Sequence, residues 1–282
     1  MSSSPRVVLV TGCTEGGIGF ELCEEFAEHG CTVYATARRL DAMKGFTHTN
    51  IKTMVLDVCN DDEVEKVVKH IVDVEERIDI LVNNAGALCA GALVDVSLER
   101  AIAAFNVNTF GVLRTCRTVI PHMAKNKTGT IVNIGSVVGD MPTPWNSIYC
   151  AAKAATHSLT QSLWMECKPL NINVVLVAPG TVQSNIADNQ RRTFSMPENS
   201  LYKSYLDNII DRIVSSQDWS SMPTKRFAKK VAKASLSSRP PRYLMYGGRT
   251  FIFSLFAWIP RFIALSLLWW RFGVLKNVPR WL

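Results

Sequence analysis

The sequence predicts an α/β fold built on a doubly wound parallel sheet, and three observations predict it. Short apolar runs rich in β-branched residues alternate with longer amphipathic stretches, the order that places crossover helices between parallel strands. The first run enters a glycine-rich turn that opens directly into a helical stretch. At 282 residues and 48% hydrophobic content, the chain is long enough to give one large domain a full core.

Residues 6–10 (RVVLV) read as a buried strand. They lead into Thr11-Gly12-Cys13-Thr14-Glu15-Gly16-Gly17-Ile18-Gly19 and an amphipathic helix over 20–29. Strand, glycine turn and helix in that order form an anion cradle. The glycines let the backbone approach a pyrophosphate, and the helix N-terminus offers free N–H groups. Gly12, Gly17, Ile18 and Gly19 are therefore candidate cofactor contacts in a Rossmann-type dinucleotide site.

Residues 32–37 (TVYATA) form a second strand that ends at Arg38 and Arg39. An acidic residue there would take the ribose 2′-hydroxyl of NAD, whereas arginine accommodates a 2′-phosphate. No acid occurs before Asp41, so the expected cofactor is NADP(H), with Arg38 as the contact. Residues 51–56 form a third strand, closed by Asp57 at the adenine edge. A charged amphipathic helix covers 61–77, and residues 80–82 form a fourth strand. After it, Asn83-Asn84-Ala85-Gly86 supplies small residues for close backbone approach, with Asn84 a cofactor candidate. One long helix is expected over 98–124, carrying Asn106, Asn108 and Gly111. Residues 130–134 form a fifth strand, and Ser136 stands just beyond its carboxyl end, where open α/β sheets bind ligands. A helix over 148–167 and a strand over 173–178 follow. The next turn is Pro179-Gly180-Thr181-Val182.

The helix over 148–167 carries Tyr149 and Lys153. Residues four apart share one helix face, so phenol and ammonium converge. A neighbouring cation lowers a tyrosine pKa from about 10, and such a phenol can protonate a carbonyl oxygen or take a proton from an alcohol. Tyr-x-x-x-Lys alone is a frequent pattern; its surroundings give it meaning. The TG…GIG turn, Asn83–Gly86, Ser136 with Tyr149-x-x-x-Lys153, and Pro179-Gly180 occur in that order. From about residue 6 to residue 248 the chain thus resembles the short-chain dehydrogenase/reductase family. The resemblance implies Tyr149 as catalytic acid/base and Lys153 as the group that lowers its pKa and binds the nicotinamide ribose. It implies Ser136 as a hydrogen-bond partner of the substrate oxygen, Asn108 as holder of a proton-relay water, and Val182 and Ser184 as cofactor contacts. One departure is visible: the glycine turn is a residue longer than TGxxxGIG, which leaves Cys13, Thr14 and Glu15 unassigned as phosphate contacts. Within the family, the longer turn, Ala-Thr-Ala-Arg-Arg and a basic hydrophobic C-terminus resemble the fungal NADPH-dependent reductases of 1-acyldihydroxyacetone phosphate. That subgroup forms 1-acylglycerol 3-phosphate for phosphatidic acid synthesis. Reductases of steroids, retinoids and other lipid ketones share most of these features.

Composition narrows the alternatives. Arg242, Arg249, Arg261, Arg271, Lys276 and Arg280 follow Pro240 without any acid, so the tail carries +6 of the formal net charge of +7. The body is nearly neutral, which argues against a nucleic-acid surface. Eight cysteines lie scattered through residues 13–167 without a C-x-x-C pair, as expected of thiols in a reducing compartment. The five histidines form no ligand-spaced cluster, so no metal is expected. No basic-plus-apolar signal peptide opens the chain, and the Asn126-Lys127-Thr128 sequon would go unused in the cytosol. No serine has glycine at both −2 and +2, which removes the nucleophile elbow of a lipid hydrolase. A non-catalytic scaffold at a membrane surface gains no support from the intact Ser/Tyr/Lys/Asn set.

Residues 1–248 are thus expected to form the reductase domain. Within it, residues 185–239, with Tyr202, Tyr205, Ile209, Ile210 and Trp219, would make a lid over the substrate. Lys203, Arg191 and Arg192 are candidate cations for a phosphate-bearing substrate. Residues 242–246 supply a last strand. Residues 249–282 read as a basic hydrophobic membrane-associated anchor. Its apolar stretches are hydrophobic all round, but Arg261 and Pro260 interrupt a single span. A monotopic hairpin is expected, with Arg249, Arg261 and Arg271 reaching one interface and Trp258, Trp269 and Trp270 near headgroups. Packing of the tail on the domain is the weaker alternative. The expected setting is the endoplasmic reticulum membrane or a lipid droplet, with the catalytic domain facing the cytosol. A homodimer through the helices at 98–124 and 149–167 is expected by analogy with the family.

Overall fold

The computed structural model describes residues 4–274. Seven strands form one parallel sheet in the order β3-β2-β1-β4-β5-β6-β7. They are β1 Val7–Thr11, β2 Thr32–Ala37, β3 Ile51–Val55, β4 Ile80–Asn83, β5 Gly129–Ile134, β6 Ile172–Pro179 and β7 Tyr243–Tyr246. The order reverses between β1 and β4, and that reversal opens a crevice at the strands' carboxyl ends. Alternate side chains on each strand face opposite layers. Val8 and Val10 of β1 join a core with Phe26 and Phe227, while Val7 and Leu9 join a second core with Ile71 and Met123.

The first core packs helix α1 (Ile18–Glu28) against the sheet. The second packs α2 (Asp61–Glu75) and the helix pair that follows β4. That pair is α3 (Leu98–Phe105) and α4 (Gly111–Lys125), separated by a π-helical turn over Asn106–Phe110. The helix expected over 98–124 therefore runs on through this stretch with αR backbone on both sides of the turn, and it carries a π bulge at Asn106–Phe110. Single π turns accompany functional sites because they re-aim a side chain. A short α5 (Val137–Asp140) and the long α6 (Ser147–Glu166) follow β5. After β6 come α7 (Ile186–Thr193), α8 (Leu206–Val214) and α9 (Thr224–Leu236). Of the segment expected as a lid, α7 and α8 place side chains on the wall of the main cavity, through Ile186, Asn189, Arg212 and Ile213. Helix α9 buries Phe227, Ala228, Val231 and Ala232 beside α1, because its apolar stripe completes the sheet's first layer. Trp219 is 96% exposed and does not line the main cavity.

The tail folds back onto the domain as α10 (Thr250–Phe256) and α11 (Arg261–Phe272), with Pro260 capping the second. Among the described residues no helix is long and apolar enough to cross a membrane. Ala264, Leu268 and Phe272 recur every fourth residue and form a buried stripe. Together with Phe256 they enclose a core with Trp145, Ile209 and Ile213. The Trp145 indole N–H donates to the Phe272 carbonyl at 2.8 Å. The Asn208 amide donates to the carbonyls of Phe272 at 3.1 Å and Val274 at 2.8 Å, satisfying the helix C-terminus. The opposite faces stay exposed, with Trp258 at 87% and Phe262 at 70%.

The arginines do not share one interface, because each finds a partner in the domain. Arg249 pairs with Asp218, Arg261 reaches the Asp140 carbonyl at 3.4 Å, and Arg271 faces Asp211 at 3.5 Å. Trp269 lies 6.0 Å from Trp145 and 6.3 Å from Tyr205, within an aromatic cluster. Lys276 and Arg280 fall outside the described residues.

Leu268→Asp would bury an unpaired carboxylate at a cost of several kcal/mol and should undock the tail. Limited proteolysis is expected to cut between α10 and α11 much faster in this variant, while the sheet domain stays folded. An unchanged cleavage rate would show that the stripe does not hold the tail.

Candidate active site

One cavity of about 550 Å³ runs from the glycine turn, past the carboxyl ends of the strands, to the tail. Its first end is built by the turn after β1. Gly12 has φ +73°, and a Cβ there would stand 2.7 Å from Ala85 Cα, so only glycine fits. The Asn84 amide donates to the carbonyls of Thr11 at 2.9 Å and Gly12 at 3.0 Å, which ties the turn to the end of β4. Gly17 caps α1 without a side-chain hydrogen bond and lines the cavity with Gly12, Thr14 and Ile18. The helix therefore presents uncapped N–H groups to that space. Gly19 does not line it. A Cβ at Gly19 would meet the Asn84 amide and the Gly12 carbonyl, each at 2.5 Å, so its role is close packing.

The longer turn has a simple resolution. Cys13 is buried, with its thiol on the Val10 carbonyl. Glu15 donates its N–H to Ala42 at 2.8 Å and accepts from the Asn185 amide at 2.7 Å. Cys13, Glu15 and Gly16 do not line the cavity, which leaves Thr14 alone of the three unassigned residues on its wall. Arg38, at the end of β2, and Asp57, after β3, both line the cavity. The Asp57 carboxylate accepts the Cys59 N–H at 2.9 Å, which fixes its orientation. Val182 and Ser184 line the wall after β6, and the Ser184 N–H is held by Gln217 at 2.9 Å. Thr181 lines the same wall, and its hydroxyl is buried with no partner among the described residues. Glycine cradle, uncapped helix and Arg38 together fit a dinucleotide with a 2′-phosphate.

At mid-cavity, Ser136, Tyr149 and Lys153 are brought together. Helix α6 places Lys153 one turn below Tyr149, and the ammonium donates to the Ile134 carbonyl at 2.8 Å. Its nitrogen lies 5.8 Å from the Tyr149 ring centroid. Burial pushes Lys153 down to about 8 and Tyr149 up to about 12. Lys153 was expected to pull the phenol down, but burial outweighs any such pull. The opposing influences on Tyr149 come from a Ser136 hydrogen bond and the Arg212 charge. Asn108 is fully buried behind this group and off the cavity wall. Its amide donates to the Ala87 and Ala104 carbonyls, each at 2.8 Å. Its own carbonyl accepts the Thr156 hydroxyl at 2.8 Å. A Cβ on Gly86 would be 3.0 Å from Asn108 Oδ1 and 3.6 Å from Lys153 Nζ, so glycine keeps these two polar groups close.

Sequence reasoning missed three features. A buttress stands behind Ser136: its N–H donates to His157 Nε2 at 3.2 Å, and His157 Nδ1 meets Asp140 at 2.9 Å. The Tyr243 hydroxyl donates to the other Asp140 oxygen at 2.8 Å. Burial pushes the Asp140 carboxyl up, but the His157 and Tyr243 hydrogen bonds outweigh it and hold it below its ordinary value. The second feature is the tail, since Phe253, Phe256, Leu268 and Phe272 line the far end of the cavity. The third is Arg212 on α8, also on the wall there. By contrast, Arg191, Arg192 and Lys203 are exposed and off the wall.

A family model described as short chain dehydrogenase matches residues 6–194. The chain is 32% identical over 278 residues to an NADPH-dependent 1-acyldihydroxyacetone phosphate reductase of Saccharomyces cerevisiae, covering 96% of this chain and 90% of that one. It is 30% identical over 238 residues to a 3-ketodihydrosphingosine reductase of Bacteroides thetaiotaomicron, covering 84% and 86%. Among solved structures, the closed form of serine dehydrogenase complexed with NADP+ superposes with a TM-score of 0.74 at 25% identity, covering 86% and 95%.

The depressed Lys153 predicts a pH signature. The unfolded chain holds this proton up to the ordinary 10.5, and the folded chain only to about 8. Between those values the unfolded state binds more protons, so folded stability rises with pH across that window. Urea denaturation of wild type and Lys153→Met should show the wild type gaining on the variant from pH 8 to pH 10. A flat difference would mean that the ammonium is not desolvated.

Proposed function

Because the chain belongs to the short-chain dehydrogenase family, we propose that it is an NADP(H)-dependent oxidoreductase that reduces a lipid ketone to a secondary alcohol. The observation that carries this reading is the single cavity. The glycine cradle and Arg38 lie at one end, Ser136, Tyr149 and Lys153 at the middle, and the apolar side chains of α10 and α11 at the other.

NADPH, when bound, supplies the hydride that reduces the carbonyl carbon. Gly12, Gly17 and the start of α1 would hold its pyrophosphate, and Arg38 would hold its 2′-phosphate. The Tyr149 hydroxyl gives its proton to the carbonyl oxygen. A phenol raised to about 12 stays protonated at neutral pH, yet remains a stronger acid than the alcohol being formed. The Ser136 hydroxyl donates to the same oxygen, and the His157–Asp140 buttress keeps its backbone in place. Lys153 neutralises the phenolate that results. Asn108, behind Gly86, positions the route by which Tyr149 recovers its proton.

The finer reading is reduction of 1-acyldihydroxyacetone phosphate to 1-acylglycerol 3-phosphate. The Saccharomyces relative supports it by its name, and the phenylalanine-lined end of the cavity suits an acyl chain. The Bacteroides relative favours a second reading, a long-chain amino ketone. The exposed surface of the tail, led by Trp258 in the turn after α10 and Phe262 on α11, would enter the surface of the endoplasmic reticulum or a lipid droplet, with the domain in the cytosol. Exposed Phe110 and Leu113, at the start of α4, supply apolar surface for a homodimer.

Tyr149→Phe removes the proton donor and should lower kcat by about 10²–10⁴. Affinity for NADPH should stay within about threefold. NADPH consumption with 1-acyldihydroxyacetone phosphate, beside a fluorescence titration of NADPH, reads both; retained turnover would sink the mechanism. Trp258→Ala combined with Phe262→Ala should weaken binding to phosphatidylcholine–phosphatidylserine vesicles by at least about tenfold. Equal flotation of wild type and variant would dismiss the lipid-facing tail.

A further inference from the structure

Three arginines line the far end of the cavity, and they differ in how their charge is met. Arg249 is paired with Asp218, and Arg271 faces Asp211. Arg212 has no carboxylate partner among the described residues. Its Nε donates to the Thr143 hydroxyl at 2.8 Å and its Nη1 to the Ser215 hydroxyl at 3.2 Å. Its guanidinium carbon lies 5.4 Å from the centre of the Phe272 ring. All these neighbours are neutral. They aim the guanidinium without compensating it, and burial lowers its pKa.

A partly desolvated cation held without a counter-charge is costly, and an anion arriving from the cavity would offset that cost. The planar guanidinium fork matches phosphate geometry. The position of the charge is informative too. Arg212 acts electrostatically on the Tyr149 phenol, so an anion there would sit near the carbonyl being reduced. Phe253, Phe256, Leu268 and Phe272 line the same end of the cavity. Carbonyl, anion and chain would thus each meet a matching part of one wall.

We propose that Arg212 anchors the phosphate monoester headgroup of an amphiphilic ketone substrate, between the Tyr149 hydroxyl and the apolar wall made by α10 and α11. The inference rests on the reading of this cavity as the place where a lipid ketone is reduced. It selects among the lipid classes: a phosphate-bearing ketone is attracted, a neutral ketone gains nothing, and a long-chain ammonium ketone is repelled. Because Phe272 packs against Arg212, the tail also helps to place the charge that reads the headgroup.

The test uses the full chain loaded with NADPH and two simple probes, decyl phosphate and decanol, below the concentration at which either aggregates. Calorimetry should show wild type binding the phosphate about ten- to a hundredfold more tightly than the alcohol. Arg212→Met should abolish that preference while leaving decanol and NADPH affinity unchanged, and Arg212→Lys should restore part of it. A preference that survives in Arg212→Met, or is absent from wild type, overturns the proposal. Turnover of lipid ketones by a wild type without the preference would remove the anion site and keep the reductase reading. An Arg212-dependent preference in a protein that reduces no ketone would do the reverse.

Discussion

The buried hydrogen bond from Lys153 to the Ile134 carbonyl is the constraint on which the site depends. It fastens helix α6 to the carboxyl end of β5 at 2.8 Å. Ser136 follows that strand and Tyr149 lies one turn up that helix, so one contact fixes their relation. The contact is costly, because a buried ammonium is desolvated. Asn83, Asn133 and Thr160 form a buried ladder beneath the strand ends, with the Asn83 amide on Asn133 at 2.8 Å and the Asn133 amide on Thr160 at 3.0 Å. The π turn swings Asn108 inward to face Gly86, and His157 fills the space against Gly135 and Gly139, where any Cβ would collide with its ring.

A second theme is the division of the tail into two faces. A helix that is apolar all round has two uses for its surface, and here both are visible. One stripe, Ala264, Leu268 and Phe272, packs on the domain, and its Leu268 and Phe272 line the cavity; the rest of the helix remains exposed. The same segment that shapes the substrate end of the site also carries the apolar surface proposed to meet lipid. A substrate drawn from a membrane would then enter beside the helices that line its pocket.

Much of this was legible in residues 6–182. Alternating apolar runs and amphipathic stretches specify strands and helices locally, and Gly12 and Gly17 declare their turn because no other residue tolerates it. Tyr149 and Lys153 are four residues apart on one helix, so their convergence follows from helix geometry. The lid and the far wall were less legible. Arg212 sits in a nine-residue amphipathic helix, LDNIIDRIV, between Asp211 and Ile213, and that pattern does not say that its side chain reaches the cavity wall. His157, Asp140 and Tyr243 come from α6, α5 and β7, and no spacing rule links them. The shift of Tyr149 was missed for a related reason: proximity of a lysine is visible in sequence, but depth of burial is not.

The sequence by itself determined the doubly wound sheet, the nucleotide cradle and the Ser136, Tyr149, Lys153 group, because each depends on short-range periodicity or on backbone conformations that few residues allow. Only the tertiary structure decided which face of α11 is buried, which arginine at the far end of the cavity has no carboxylate partner among the described residues, and how far burial moves Lys153 and Tyr149. Those properties belong to contacts between segments distant in the chain, such as Trp145 with Phe272 and Arg212 with Thr143. Solvent exclusion and charge compensation are sums over all neighbours in space, and a linear pattern holds no record of them.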